Sequence, residues 1–135
     1  MMETILTDKT ISIELINELL IKKGFKIKSF NSKLGLTLIN DIHIAISLTD
    51  NNKLLSIFST YYLLMPYDQF DMLNLLQYIN DNNKYLKATI EDEEQDMEIE
   101  LGFSINIEGG ITPSFLLRNL ECFIEEFFIL KELKL

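Results

Sequence analysis

His43 and Cys122 are the side chains best suited to acid–base or nucleophilic chemistry, and each is the only residue of its type in the chain. A metal site at His43 would need further ligands at suitable spacing, and none stands near it. A His43–Cys122 dyad stays open as an alternative, because separation in sequence does not exclude contact. We interpret His43 as a partly exposed strand residue and Cys122 as an inert, small apolar residue of a helix.

Two other segments have the types of residue that bind ions or phosphates. Gly109-Gly110 precede a helix, but they lack the third glycine of a dinucleotide loop and the lysine of a P-loop, and Pro113 removes one N–H group. The acidic run over residues 91–96 does not have the spacing of an EF-hand loop. We interpret the first as a turn and the second as a solvated hairpin tip, with calcium binding as the alternative. The sequence therefore predicts no catalytic residue, no cofactor and no metal ion, and we expect a protein that is not an enzyme.

Composition limits the classes of partner. The chain has 135 residues, and 12 Lys and Arg against 21 Asp and Glu give it a formal net charge of −9. A polyanionic surface is repelled by phosphate backbones and anionic lipids, so we expect neither nucleic acid nor membrane as a partner. Residues 1–8 show no signal-peptide pattern, and no apolar run reaches the roughly 20 residues needed to span a bilayer. We expect a single cytoplasmic domain over residues 1–135.

Periodicity predicts the elements that would position these side chains. Helical spacing predicts helices over residues 12–23, 67–81 and 113–133, the last one capped by Thr112 with Pro113 at its first position. Short or alternating apolar patterns predict strands over residues 25–30, 34–39, 42–48, 54–63, 84–91 and 96–107. This order lacks strict β–α alternation, so we expect an α+β fold in which an antiparallel sheet has helices packed on it.

The last two strands form a predicted hairpin. A tip at residues 92–95 would pair Glu91 with Asp96, and would place Lys87 opposite Glu100 and Tyr85 opposite Gly102. In that register the apolar residues of both strands share one face of the sheet.

The predicted last helix is apolar on more than one side. Its broad apolar face covers the sheet, but a second line lies on the polar side and consists of Phe115, Cys122, Ile129 and Leu133. This line is the candidate protein interface, and we call it the α3 line because the helix predicted over residues 113–133 is the third in the chain. The alternative is that the first helix or the chain's own loops cover it.

Four segments in order resemble the YbjN family of proposed bacterial sensory-transduction regulators. They are Leu76-Gln77-Tyr78-Ile79-Asn80, residues 84–92, Met97-Glu98-Ile99-Glu100 and Glu108-Gly109-Gly110-Ile111-Thr112. The family has Asn-x-Trp-Asn at the end of its central helix, and here Ile79 replaces the tryptophan. The resemblance implies a fold similar to that of type III secretion chaperones, which are small, acidic, dimeric α+β proteins, and it implies no catalytic residues.

We therefore expect a non-catalytic protein-binding module, chaperone-like or regulatory, that forms a homodimer and holds a segment of a partner protein. Strand addition at a sheet edge is one way to hold such a segment. A type III secretion chaperone with one dedicated effector and an immunity protein that neutralises a basic toxin are the alternatives.

Overall fold

The computed structural model describes residues 4–39, 41–90 and 98–135. In that part of the chain the helices are α1 (Ile13–Lys22), α2 (Gln69–Asn82) and α3 (Pro113–Glu132). The strands are β1 (Lys26–Phe30), β2 (Leu34–Ile39), β3 (Ile42–Thr49), β4 (Leu54–Tyr62), β5 (Lys87–Thr89) and β6 (Glu98–Asn106). The predicted order of elements and the α+β class are confirmed.

The strands form one antiparallel sheet of six strands in the order β1-β2-β3-β4-β6-β5. Because side chains alternate along a strand, the sheet has two distinct faces. The covered face packs against helices, and its buried apolar residues include Ile39, Ile42, Ile44, Ile46, Leu48, Leu55, Ile57, Tyr61, Ile99 and Leu101. The open face consists of Leu36, Leu38, His43, Ala45, Ser56, Phe58, Thr60, Tyr62, Gly102 and Ser104, and most of these residues are half-buried or exposed.

Helix α1 begins and ends at the residues that the sequence indicates. The Ser12 hydroxyl accepts the backbone N–H of Leu15 at 3.0 Å, and Gly24 follows the helix with a φ of 88°, which a residue with a side chain rarely adopts. The helix lies close to β2, because a Cβ added to Gly35 would be 3.2 Å from Cγ2 of Ile13. A small residue at this position of the covered face therefore lets the helix approach the sheet.

Helix α3 packs against β4 and β6 on the covered face of the sheet. Thr112 caps it by accepting the N–H of Phe115 at 3.1 Å, and Pro113 occupies its first turn, as predicted. The ring centroid of Phe123, which is fully buried, lies 6.0 Å from that of Phe103 on β6, and the ring of Phe127 lies 6.0 Å from Tyr61 on β4. These aromatic contacts attach the helix to the covered face.

Glu126 attaches α3 to the segment between α2 and β5. Its carboxylate accepts the backbone N–H groups of Lys84 and Tyr85, with shortest distances of 2.8 Å and 2.7 Å. Charge-assisted hydrogen bonds of this kind are about twice as strong as neutral ones. The segment that leads into the edge strand β5 is therefore held by the helix layer and not by the sheet alone.

The predicted register of the β5–β6 hairpin is wrong by two residues. Lys87 lies opposite Gly102, not opposite Glu100, and Thr89 lies opposite Glu100. The proposed pair Glu91–Asp96 lies outside the described residues. A shift of two preserves the faces, so Leu86 and Leu101 are both in the core, as predicted. Alternation alone does not distinguish two registers that differ by two residues, because both place the same side chains on the same face of the sheet.

Candidate functional site

His43 and Cys122 do not form a dyad. His43 is exposed on the open face, where its Nδ1 lies 3.5 Å from Nζ of Lys28 on the edge strand β1. Cys122 is half-buried on α3, beyond the covered face, beside Tyr85. Contact with the Cys122 thiol raises the pKa of Tyr85. The sheet thus separates the two residues, and the His43–Cys122 dyad that the sequence left open is not formed.

The α3 line is exposed at both ends and partly covered at its centre. Phe115 is 47% exposed and Ile129 63% exposed, and Leu133 is exposed at the end of the helix. Cys122 lies between them and is half-buried. Successive members seven residues apart are separated by about 10.5 Å along the helix axis. The line therefore presents two apolar ends joined by a half-covered centre.

The open face carries a row of apolar residues across the middle strands. The register places Leu36, Ala45, Phe58 and Gly102 side by side on β2, β3, β4 and β6. Ala45 is only 8% exposed because its larger neighbours flank it. A Cβ at Gly102 would lie 2.6 Å from the carbonyl oxygen of Ile57 and 2.7 Å from Cβ of Phe58, so no larger residue fits there without movement of β4.

Two cavities lie on either side of Phe58 on this face. The first, which we call the terminal cavity, has a volume of about 750 Å³, and its lining includes Leu36, Ala45, Tyr62 and Leu64. It also reaches Phe127 and the last turn of α3. The second has a volume of about 860 Å³ and lies over β4, β6 and β5, where the hydroxyl oxygens of Ser56 and Ser104 are 2.7 Å apart. The open face is therefore recessed, with an apolar recess at one end and a more polar one at the other.

The rim of the terminal cavity carries positive charge in an acidic chain. Lys131 and Lys134 line it together with His43, and Asp41 is the one acidic residue of its lining. Among the described residues, neither lysine has an ion-pair partner, since Lys53–Glu108 is the only salt bridge found there. The lysines also offset the partial negative charge of the C-terminal end of α3.

The outer edge of β5 is occupied by a side chain of α2. The amide of Asn80 accepts the N–H of Ala88 at 2.6 Å and donates to its carbonyl oxygen at 3.3 Å, as a paired strand would do. Nζ of Lys87 binds the carbonyl oxygens of Asn80 and Asn83 at 3.0 and 2.9 Å. Asn80 is the residue that matches the last asparagine of the YbjN motif, and here it closes the sheet edge.

The opposite edge is also poorly suited to pairing with another strand. Strand β1 contains Lys26 and Lys28, and its register with β2 shifts between Ile27 and Ser29, which is a bulge or irregularity. Charged residues and bulges are common means of preventing strand addition at an exposed edge. The geometry thus favours the open face over either described edge as the place where a partner segment would lie.

Sequence reasoning missed the residues of the open face. Leu34, Leu36 and Leu38 alternate along β2, but they point away from the helices, and Gly35 and Thr37 point toward them. The signal that could have found them is the size of the residues: large apolar side chains on β2 alternate with a glycine and a threonine that leave space for a helix.

Comparison with known proteins rests on the fold alone. No family profile matches the chain, and no curated protein matches its sequence. Among solved structures, YbjN from E. coli, described as a candidate transcription regulator, superposes with a TM-score of 0.69 over 85% of this chain and 84% of that chain, at 14% identity. The fold is the YbjN fold. The resemblance to YbjN predicted from the sequence is confirmed at this level.

A second structural neighbour comes from a different organism. An uncharacterized protein from Methanothermobacter thermautotrophicus superposes with a TM-score of 0.57 and 11% identity, over 90% of this chain and 97% of that chain. Neither structural neighbour is described as an enzyme. Within residues 4–39, 41–90 and 98–135, no helix is long and apolar enough to cross a membrane, and no group of three potential metal ligands is found.

Proposed function

We propose that this chain is a non-catalytic protein-binding module of the bacterial cytoplasm, chaperone-like or regulatory, that holds a segment of another protein against its open sheet face. The observation that carries the proposal is the recessed apolar surface formed by Leu36, Phe58, Tyr62 and Leu64, which no described element of the chain covers. The YbjN-like fold supports a binding or regulatory role, because its described neighbour is a candidate regulator.

The energetics favour an extended partner segment over a single anchoring residue. Covering an exposed Tyr or Leu side chain contributes roughly 1.5–3 kcal/mol. Association itself costs at least about 4 kcal/mol, and often much more. A single side chain in the terminal cavity therefore gives no useful affinity, whereas a segment that spans both cavities covers several apolar residues at once. We expect the partner to lie across the strands over Phe58.

A comparative capture experiment tests this function. Tagged protein with Tyr62→Ser and Leu64→Ser, which are 70% and 71% exposed, is compared with unmodified protein and with the control Ile21→Ser, which is 59% exposed on α1. We expect one partner to be lost from the double variant, by tenfold or more in quantitative mass spectrometry, and to be kept by the control. Recovery of the same proteins by all three would contradict the proposal.

We propose that the chain also forms a symmetric homodimer through the α3 line. The spacing supports this, because Phe115 and Ile129 lie seven residues on either side of Cys122. Two antiparallel α3 helices related by a twofold axis at Cys122 would therefore place Phe115 against Ile129 of the partner subunit.

Sedimentation equilibrium at micromolar concentration tests the dimer. We expect unmodified protein to be dimeric and Ile129→Glu to be monomeric, because burying an unpaired charge costs several kcal/mol. Ile21→Glu on α1 is the control and should stay dimeric. A monomeric unmodified protein would rule out the dimer, and a dimeric Ile129→Glu would place the interface elsewhere.

A further inference from the structure

The terminal cavity has the size and composition of a small-molecule site. Its volume of about 750 Å³ falls within the roughly 300–1,000 Å³ that is usual for ligand pockets. Leu36, Ala45 and Phe58 contribute its sheet side, and Tyr62 and Leu64 contribute from the end of β4 and the following residues. The lining is thus mostly apolar, which suits the body of an apolar molecule.

The charges at the rim determine which apolar molecule fits. Lys131 and Lys134 lie where α3 ends, and both line the cavity. The backbone N–H of Leu64 donates to the backbone oxygen of Leu135 at 2.8 Å, which holds the residues after α3 beside Leu64. Lys28 adds a third ammonium group beside His43. Two lysines against Asp41 give the lining itself a net positive charge, on a chain whose formal net charge is −9. An anionic group is therefore attracted to this rim and repelled by much of the remaining surface.

We propose that the terminal cavity binds a small amphiphilic anion: a monocarboxylic acid with an aliphatic or aromatic body that fills the apolar recess. The carboxylate accepts charge-assisted hydrogen bonds from Lys131 and Lys134, and the body covers Ala45, Phe58 and Leu64. The site overlaps the surface proposed to hold a protein segment, but binding of the acid requires only the purified chain and one small molecule, so it can be tested without the protein partner. Binding of the acid covers part of the open face and so competes with a protein segment for that part.

A pair of fluorescent probes separates the apolar from the anionic contribution. The sulfonate 1-anilinonaphthalene-8-sulfonate and the uncharged N-phenyl-1-naphthylamine have the same aromatic body, and both become fluorescent in an apolar site. We expect the sulfonate to bind saturably at one site. In the double variant Lys131→Gln/Lys134→Gln its affinity should fall about tenfold, the equivalent of one charge-assisted contact, while that of the uncharged probe stays within about twofold.

Matched controls make the result specific to this cavity. The variant Lys22→Gln/Lys23→Gln removes two exposed lysines near the end of α1 and should leave both probes unchanged. Leu64→Ser removes part of the apolar lining and should weaken both probes. Decanoate should displace the uncharged probe at a lower concentration than decanol, because only decanoate carries the anion.

Three results would overturn the proposal. Equal displacement by decanoate and decanol would assign the cavity to an uncharged apolar group. An unchanged sulfonate affinity in Lys131→Gln/Lys134→Gln would place the probe at another surface. Binding of many sulfonate molecules per chain without saturation would show non-specific adsorption. None of these results bears on capture of a protein partner, so the two proposals fail independently.

Discussion

The two faces of the sheet are built from the same strands but from different residues. The covered face is a continuous layer of Ile and Leu under α1 and α3, and its middle strands are almost completely buried. The open face alternates Leu36, Ala45 and Phe58 with Ser, Thr and charged residues, and it contains two recesses. The covered face therefore stabilises the fold, whereas the open face keeps apolar surface exposed that the fold itself does not need. This difference is the reason that we propose the open face as the surface that binds a partner.

The largest expected effect compares one phenylalanine from each face. Phe123→Ala removes a fully buried ring in contact with Phe103 and Phe127, and should lower the free energy of unfolding by about 4 kcal/mol. Phe58→Ala removes a half-buried ring from the open face, and should cost about 1 kcal/mol but abolish partner binding. Urea denaturation measures both. An equal loss of unfolding free energy in the two variants would mean that the open face contributes to the core as the covered face does, which would contradict the difference between the faces.

Gly102 tests whether the shape of the open face depends on β4. Gly102→Ala places a Cβ within 2.7 Å of Ile57 and Phe58, so the strands must shift, and we expect a loss of about 2 kcal/mol. Gly109→Ala is the matched control, because nothing lies within 4 Å of its added Cβ, and it should change stability by less than about 0.5 kcal/mol. Two equal denaturation midpoints would show that the close approach of β4 and β6 is not needed.

Glu126 tests how the helix layer holds the edge of the sheet. Glu126→Ala leaves the N–H groups of Lys84 and Tyr85 without their acceptor, and should cost about 1.5 kcal/mol. Glu125→Ala removes an exposed neighbour of the same charge and should be nearly neutral. Hydrogen exchange should show faster exchange at residues 84–89 in the first variant and not in the second. Equal exchange rates at residues 84–89 in the two variants would contradict the role given to Glu126.

The smallest effect concerns Tyr61 on the covered face. Burial raises the pKa of Tyr61 above its usual value of 10.0. The unfolded chain therefore loses this proton first as the pH rises, so it binds fewer protons than the folded chain and stability falls above about pH 10. In Tyr61→Phe the free energy of unfolding should fall less steeply between pH 9.5 and pH 11 than in the unmodified protein. Near neutral pH the two proteins should show the same pH dependence, because Tyr61 is protonated in both the folded and the unfolded state there. An identical slope in the variant would show that Tyr61 titrates as it does in water.

The sequence predicts the covered face well and the open face poorly. Strict alternation in β6 and the Thr112-Pro113 cap are local signals, and both lead to correct elements. In β2 the same alternation is ambiguous, because the large residues Leu36 and Leu38 lie on the face that no helix covers. Only the position of α1 against Gly35 decides which face is covered, and that position depends on tertiary packing.

Two features of the candidate site depend on contacts between different elements of the fold. The closure of the β5 edge depends on Asn80, which reaches Ala88 from the preceding helix, and no periodic pattern predicts such a side-chain contact. The terminal cavity is lined by residues of β2, β3 and β4 and by residues at the end of α3. From the sequence alone, Lys131 and Lys134 are therefore indistinguishable from ordinary solvated lysines. The α3 line was found from helical spacing, and its use as an interface stays a prediction.

Site-specific photo-crosslinking in the native host tests the central claim most directly. A photoreactive phenylalanine analogue is placed at Leu36 on the open face and, in a second strain, at Tyr78, which is exposed on α2. We predict that position 36 gives a discrete heterologous crosslink, which Phe58→Ala abolishes, and that position 78 does not crosslink to the same protein. A crosslink to the same partner from position 78 and none from position 36 would contradict the account, because it would place the partner on the helix layer.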